Sequence, residues 1–167
     1  MCKDLFSNTT FTTVLSGSLV FIVGQLFLEL FIKPWEKYQK TKSNIIFFLY
    51  KYRECILNPI SWDRYLSFIN SKEEPTIVFG QNYKEARLQA KELGVALSEF
   101  LENKGICFLI PKRSKLKIAI NQLLWLSECI IRNSESINIQ QNWEAYKNIT
   151  KILHLSGVEK WKKHSPS

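Results

Sequence analysis

No formally charged side chain interrupts the sequence from Leu5 to Leu28, and Lys33, Lys37, Lys40 and Lys42 follow closely. Within this stretch the segment Phe11 to Ile32, about 22 residues long at about 1.5 Å rise per residue, spans roughly 33 Å as a helix. That matches a hydrocarbon core of about 30 Å, so the pattern predicts a transmembrane helix over residues 11–32. A core helix of a soluble domain rarely stays uncharged beyond about 18 residues. A cleaved secretory signal fits less well: only Lys3 precedes the apolar run, Asp4 offsets it, and no small-x-small site stands before Lys33.

Past Pro34 the period changes. Tyr38, Ile45 and Tyr52 recur at heptad spacing, with Phe48 and Cys55 three beyond the last two, which predicts a helix over Trp35 to Leu57 continuing from the span. Ile46, Phe47, Leu49 and Tyr50 widen its apolar face, an expectation of packing on the protein's own domain. Asn58-Pro59 closes it. Ser61 is placed to cap a short helix to Ile69. The connector Asn70 to Gln81 carries Pro75 and Gly80, and its structure is left open. Asn82 is then expected to cap a long helix to about Asn103, with Ala86, Ala90, Leu93, Leu97 and Leu101 on one face and Gly105 ending it. Ile106 to Ile110 reads as a buried extended linker. Pro111 and Ser114 open a helix with Leu116, Ile120, Leu123, Leu124, Ser127 and Ile131 on its face. After a turn over Arg132 to Ile137, a last helix runs from about Ile139 to Leu155 and stops at Ser156-Gly157. The expected fold is mainly α: an extracytoplasmic stretch over residues 1–10, the span, a cytoplasmic helical bundle of about four to five helices over residues 33–157, and a basic tail over residues 158–167.

Charge adds an orientation. The chain carries 23 Lys and Arg against 15 Asp and Glu, and the basic residues concentrate after the span. Basic flanks resist translocation, so the N-terminus is expected outside and the body in the cytoplasm. Lys33, Lys37, Lys40 and Lys42, with Trp35 and Tyr38 near the headgroups, then face an anionic leaflet, although the two aromatics also suit ordinary packing. Inside the span, Gln25 and Glu29 share a face at the cytoplasmic end, and Gly17 and Gly24 lie seven apart on about one face. Polar and small positions of this kind mark helix association in membranes, whereas Glu29 is also close enough to the end to snorkel.

Candidate chemistry is sparse. Cys2, Cys55, Cys107 and Cys129 show no CxxC spacing and no neighbouring histidine, so neither a metal nor a redox dithiol is indicated, and no cofactor is expected. Cys55, Cys107 and Cys129 read as small core residues. His154 is expected at the end of the last helix, and His164 lies in the tail. The pairs Glu85/Glu92 and Glu99/Glu102 read as a solvated helix surface more readily than as acid and base. Lys112, Arg113, Lys115 and Lys117, at a helix start, form the densest basic cluster and are candidates for a membrane interface or an anion. No aromatic RNA-reading strand accompanies them, which argues against nucleic acid.

Several of these elements carry a resemblance: Pro34 beyond a span ending Gly24-Gln25-Leu26, a helix containing Glu85-Ala86-Arg87 and Leu93, and Ile110-Pro111 opening a helix that ends Leu123-Leu124-Trp125-Leu126-Ser127. Together they resemble a group of small bacterial membrane proteins with one N-terminal span and a cytoplasmic helical domain. The resemblance implies a bacterial inner membrane and carries no activity. The leading functional expectation is a noncatalytic membrane-anchored module that binds a protein partner or itself at the bilayer. The alternative is an effector whose spans oligomerise and permeabilise the membrane, and a third class, an enzyme on lipid or nucleotide phosphates, needs the 112–117 cluster together with a carboxylate.

Overall fold

A computed structural model describes residues 9–103, 108–132 and 139–154. The expected N-terminal stretch up to residue 8, Cys2, Gly105, Cys107, the turn from residue 133 to Ile137, the Ser156-Gly157 stop, His164 and the basic tail lie outside these residues. The described chain is mainly helical. Helix α1 (Thr9–Phe27) passes through a π-helical turn, Leu28–Ile32, directly into α2 (Lys33–Lys51). There follow α3 (Arg53–Leu57), a short strand β1 (Ile60–Ser61), α4 (Trp62–Ile69), α5 (Glu74–Glu102), α6 (Arg113–Cys129), β2 (Ile131–Arg132) and α7 (Ile139–Ile152).

Helix α1 is apolar over most of its length, and the polar side chains it carries are uncharged. The hydroxyls of Thr13, Ser16 and Ser18 donate back to the carbonyls of Thr9, Thr13 and Val14 at 2.8, 2.9 and 2.9 Å, so polar side chains are satisfied within the helix itself. By length and composition this is a helix able to cross a membrane, and its apolar window is 0% buried by the rest of the protein.

Pro34 explains the π turn. Proline lacks an N–H and its ring collides with the carbonyl four residues back, which a regular α-helix cannot absorb. Widening the turn so that the Lys33 N–H reaches the Leu28 carbonyl moves the backbone aside, and the helix continues. The span and the body are therefore joined by helix without a loop.

In the body, α2, α3, α5, α6 and α7 contribute to one core. Tyr38, Ile45, Phe48, Tyr52 and Cys55 point into it, as the heptad pattern predicts, and of the four residues expected to widen that face Leu49 does so too. Ile46, Phe47 and Tyr50 are exposed instead, a correction to the expected wide packing face. The Ser61 hydroxyl accepts from the Arg64 N–H at 3.3 Å and caps α4 as expected. Helix α5 begins at Glu74, eight positions before the expected cap at Asn82, because Pro75 stands in the first turn, where its fixed φ suits a helix. Gly80 is no turn: a Cβ there would lie 3.0 Å from the Phe68 Cβ, so its missing side chain lets α5 close on α4. Gly94 does the same against Leu124 of α6.

Three further ties hold α3 and the segment after it. Ile60 and Ser61 pair in parallel with Ile131 and Arg132, a two-residue ladder that apolar periodicity did not predict. The Tyr83 hydroxyl donates to the Asn58 carbonyl at 2.7 Å, and the buried Asn142 amide donates to the Ile56 carbonyl at 2.9 Å. The latter satisfies an end carbonyl of the short α3. His154, in the left-handed region at φ 49°, ends α7, where the sequence reading placed it.

Burial also sets an alkaline limit. It pushes the Cys55 thiol from 9.0 to about 11 and the Tyr38 and Tyr83 phenols from 10.0 to about 12. The folded state thus keeps protons that the unfolded chain gives up. Stability is intact below about pH 9 and falls as pH rises from about 9 toward 11 through Cys55, then further through the tyrosines, with full deprotonation of Cys55 costing about 3 kcal/mol. Melting temperatures of the full chain in detergent should be level from about pH 6 to 8 and drop steadily above 9; a level curve to pH 11 contradicts this packing.

Candidate functional site

The candidate residues lie along α1, around its junction with α2 and at the start of α6. Glu29, in the π turn, pairs with Lys33 one turn on, both side chains more than half exposed. This pair presents a charge couple at the end of the apolar segment instead of a bare carboxylate within it. Gln25 lies one turn earlier on α1, and at Gly17 and Gly24 an added Cβ would meet nothing within 4 Å. Gly17 and Gly24 thus have open space beside them among the described residues.

Of the two interfacial aromatics, Tyr38 is buried, with its ring 5.8 Å from that of Phe100, and Trp35 is half-buried against the core, 5.9 Å from Tyr38. Both take part in packing, one of the two roles that the sequence left open. Lys33, Lys37 and Lys40 are exposed around them. Lys42 is half-buried, and its ammonium reaches the His154 carbonyl at 3.5 Å, tying α2 to the end of α7.

The basic cluster lies at the start of α6. Lys112, Arg113, Lys115 and Lys117 are all exposed. Arg113 and Lys117 line an open cleft of about 640 Å³ with Ser98, Ser114, Asn121 and Glu102. The cleft therefore brings the cluster beside one of the glutamates considered as an acid or base, with no histidine or cysteine in the lining among the described residues. Before it, of the described residues of the expected buried linker, Ile110 is buried while Phe108 is 82% and Leu109 56% exposed. The Phe108 ring sits 6.5 Å from that of Phe31, edge-on, at the lower end of the apolar helix.

Two arrangements escaped the sequence reading. The Tyr52 hydroxyl donates to Glu85 at 2.9 Å while the Lys51 ammonium stands 3.7 Å from the same oxygen. Partial burial pushes the Tyr52 phenol up, and the adjoining phenol and carboxylate raise the Lys51 ammonium. Glu85 is thereby committed to α2 and does not form an acid–base pair with Glu92. Farther along, Arg87 donates to the Ser127 carbonyl at 3.1 Å and reaches Glu128 at 3.5 Å, at an open cleft of about 700 Å³ that Trp62, Asp63, Ile131 and Arg132 also line. Both join residues more than thirty positions apart, beyond the reach of local spacing.

Cys55 and Cys129 are free and buried thiols, each raised by burial, which makes them poor nucleophiles. Among the described residues no group of three or more His, Cys, Asp or Glu is placed to hold a metal ion. No protein family, curated protein or solved structure matches the chain.

Proposed function

We propose that this protein is a membrane-anchored, noncatalytic binding or scaffold protein whose helical body is held against the cytoplasmic face of a membrane by a single N-out span. The observation that supports this most is the unbroken passage of α1 into α2. α2 is at once the stem of the anchor and a core element of the body, so the body is fixed at the surface and does not hang on a linker. The bacterial inner membrane implied by the sequence resemblance suits this arrangement, and the exposed Lys33, Lys37 and Lys40 suit an anionic leaflet.

The outer face of α2 supplies a contact surface for a protein partner or a second copy. Ile46, Phe47 and Tyr50 are exposed there within little more than one turn. A photo-crosslinking residue at Phe47, used in cells expressing the full chain, should yield discrete adducts, and Tyr50→Asp in the same chain should reduce them several-fold. If the adducts are absent, or as abundant at the exposed Lys84 as at Phe47, the binding role loses this surface. The permeabilising alternative draws on Gly17, Gly24 and Gln25 but is weakened by the ion pair that holds Glu29 to Lys33.

A further inference from the structure

The loop preceding α6 has an unusual composition for a surface that faces only water. Phe108 and Leu109 are adjacent, large and strongly exposed, while Ile110 directly after them is buried and anchors the loop to the core. Over the next seven positions come Lys112, Arg113, Lys115 and Lys117, all exposed, with no acidic residue between 108 and 117. Two apolar side chains backed by a group of cations is the chemistry of an interfacial membrane contact: the apolar pair enters the acyl boundary and the cations meet the phosphates above it.

Position distinguishes the bilayer from other occupants. Phe31 is the last but one residue of the segment whose length matches the hydrocarbon core, and it stacks on Phe27 one turn deeper at 5.2 Å. With its ring 6.5 Å from that of Phe31, Phe108 stands at the depth where acyl chains give way to headgroups. Resting on the reading of α1 as a span, we infer that Phe108 and Leu109, with Lys112, Arg113, Lys115 and Lys117, form a second membrane contact that inserts into the same leaflet as the end of α1. The body then touches the bilayer at two points, the stem and this loop. That fixes its rotation about the axis of α1 and so determines which faces are presented to a partner.

The test places a fluorescent noncanonical residue at Phe108 in the full chain, reconstituted in vesicles of phosphatidylglycerol and phosphatidylcholine. The same residue at Lys84, far along the body beside Glu85 and the end of α2, is the control. Lipids brominated near the headgroup end of their acyl chains should quench position 108 several-fold more than position 84, and aqueous iodide should show the reverse. Lys112→Gln, Arg113→Gln, Lys115→Gln and Lys117→Gln together, or vesicles of phosphatidylcholine alone, should reduce the brominated-lipid quenching at 108 at least about twofold. Iodide quenching at 108 equal to that at 84, in protein that alkaline carbonate does not extract, overturns the second contact and leaves the anchor standing. Protection from both quenchers means that protein covers the loop, and also overturns it. Extraction of the wild-type chain by carbonate removes the anchor reading and this inference with it.

Discussion

Replacing Val20 and Val23 together with arginine should release the protein from membranes while leaving its body folded. Both positions are exposed on α1 and lie near the middle of the apolar segment, one turn apart on one face. An arginine at the centre of a membrane helix costs about 2.5 to 3.5 kcal/mol on insertion scales, against roughly −0.3 to −0.6 for each Leu, Ile, Phe or Val. Two arginines therefore cost about 5 to 7 kcal/mol, enough to shift the insertion equilibrium by about 10⁴-fold. The body should not notice, because the apolar window of α1 is 0% buried by it. Wild-type protein should stay with the membrane pellet in carbonate and the double variant should move to the supernatant, with the Tyr38 and Trp143 environments still melting cooperatively. Were α1 a core helix, the same variant would unfold. Were it a cleaved leader, the intact mass of the membrane-bound wild type would lack these residues. The three readings thus give three different results in one preparation.

The apolar segment was legible because a long uncharged run has a distinct local signature, and the structure makes it one exposed helix. The elements with strong local signals were legible too: the Ser61 cap, and the Ala86, Ala90, Leu97 and Leu101 face, which is buried. Departures arose where one residue type serves two purposes. Pro75 and Gly80 left the connector open in the sequence, because each suits a turn as well as a helix; Pro75 starts α5, and Gly80 is a point of close approach. The helix expected to continue from the span past Pro34 does so, but by a π turn, which no pattern of apolar residues announces. The exposure of Phe108 and Leu109 was illegible for another reason. A short apolar run in water-soluble protein is normally covered, and only the position of the loop beside Phe31 makes its exposure intelligible. The candidate site was therefore half visible: its cations were read from the sequence, and its apolar half required the fold.

Neighbouring phenylalanines on α2 provide the sharpest stability contrast. Within Ile45-Ile46-Phe47-Phe48-Leu49-Tyr50 every side chain is apolar or aromatic, so periodicity alone cannot say which face is inside. In the structure Phe48 is fully buried, with its ring 5.8 Å from that of Tyr52, while Phe47 is 61% exposed. Phe48→Ala should cost about 3 to 5 kcal/mol, the loss of an aromatic from a packed core together with the cavity left behind. Against a typical total of about 5 to 15 kcal/mol this removes a large share of the body's stability. Phe47→Ala should change it by no more than about 0.5 kcal/mol. Tryptophan fluorescence suits the measurement, since Trp35, Trp125 and Trp143 pack against the core, whereas helicity would be dominated by an α1 that detergent keeps folded. Denaturant midpoints in detergent micelles should fall markedly for Phe48→Ala and stay near wild type for Phe47→Ala. Equal losses would mean that α2 is rotated about its axis, with Phe47 turned inward beside Phe48. In that case the exposed face proposed for a partner would have to be redrawn, because the helix that stabilises the body is the same one that continues from the apolar α1.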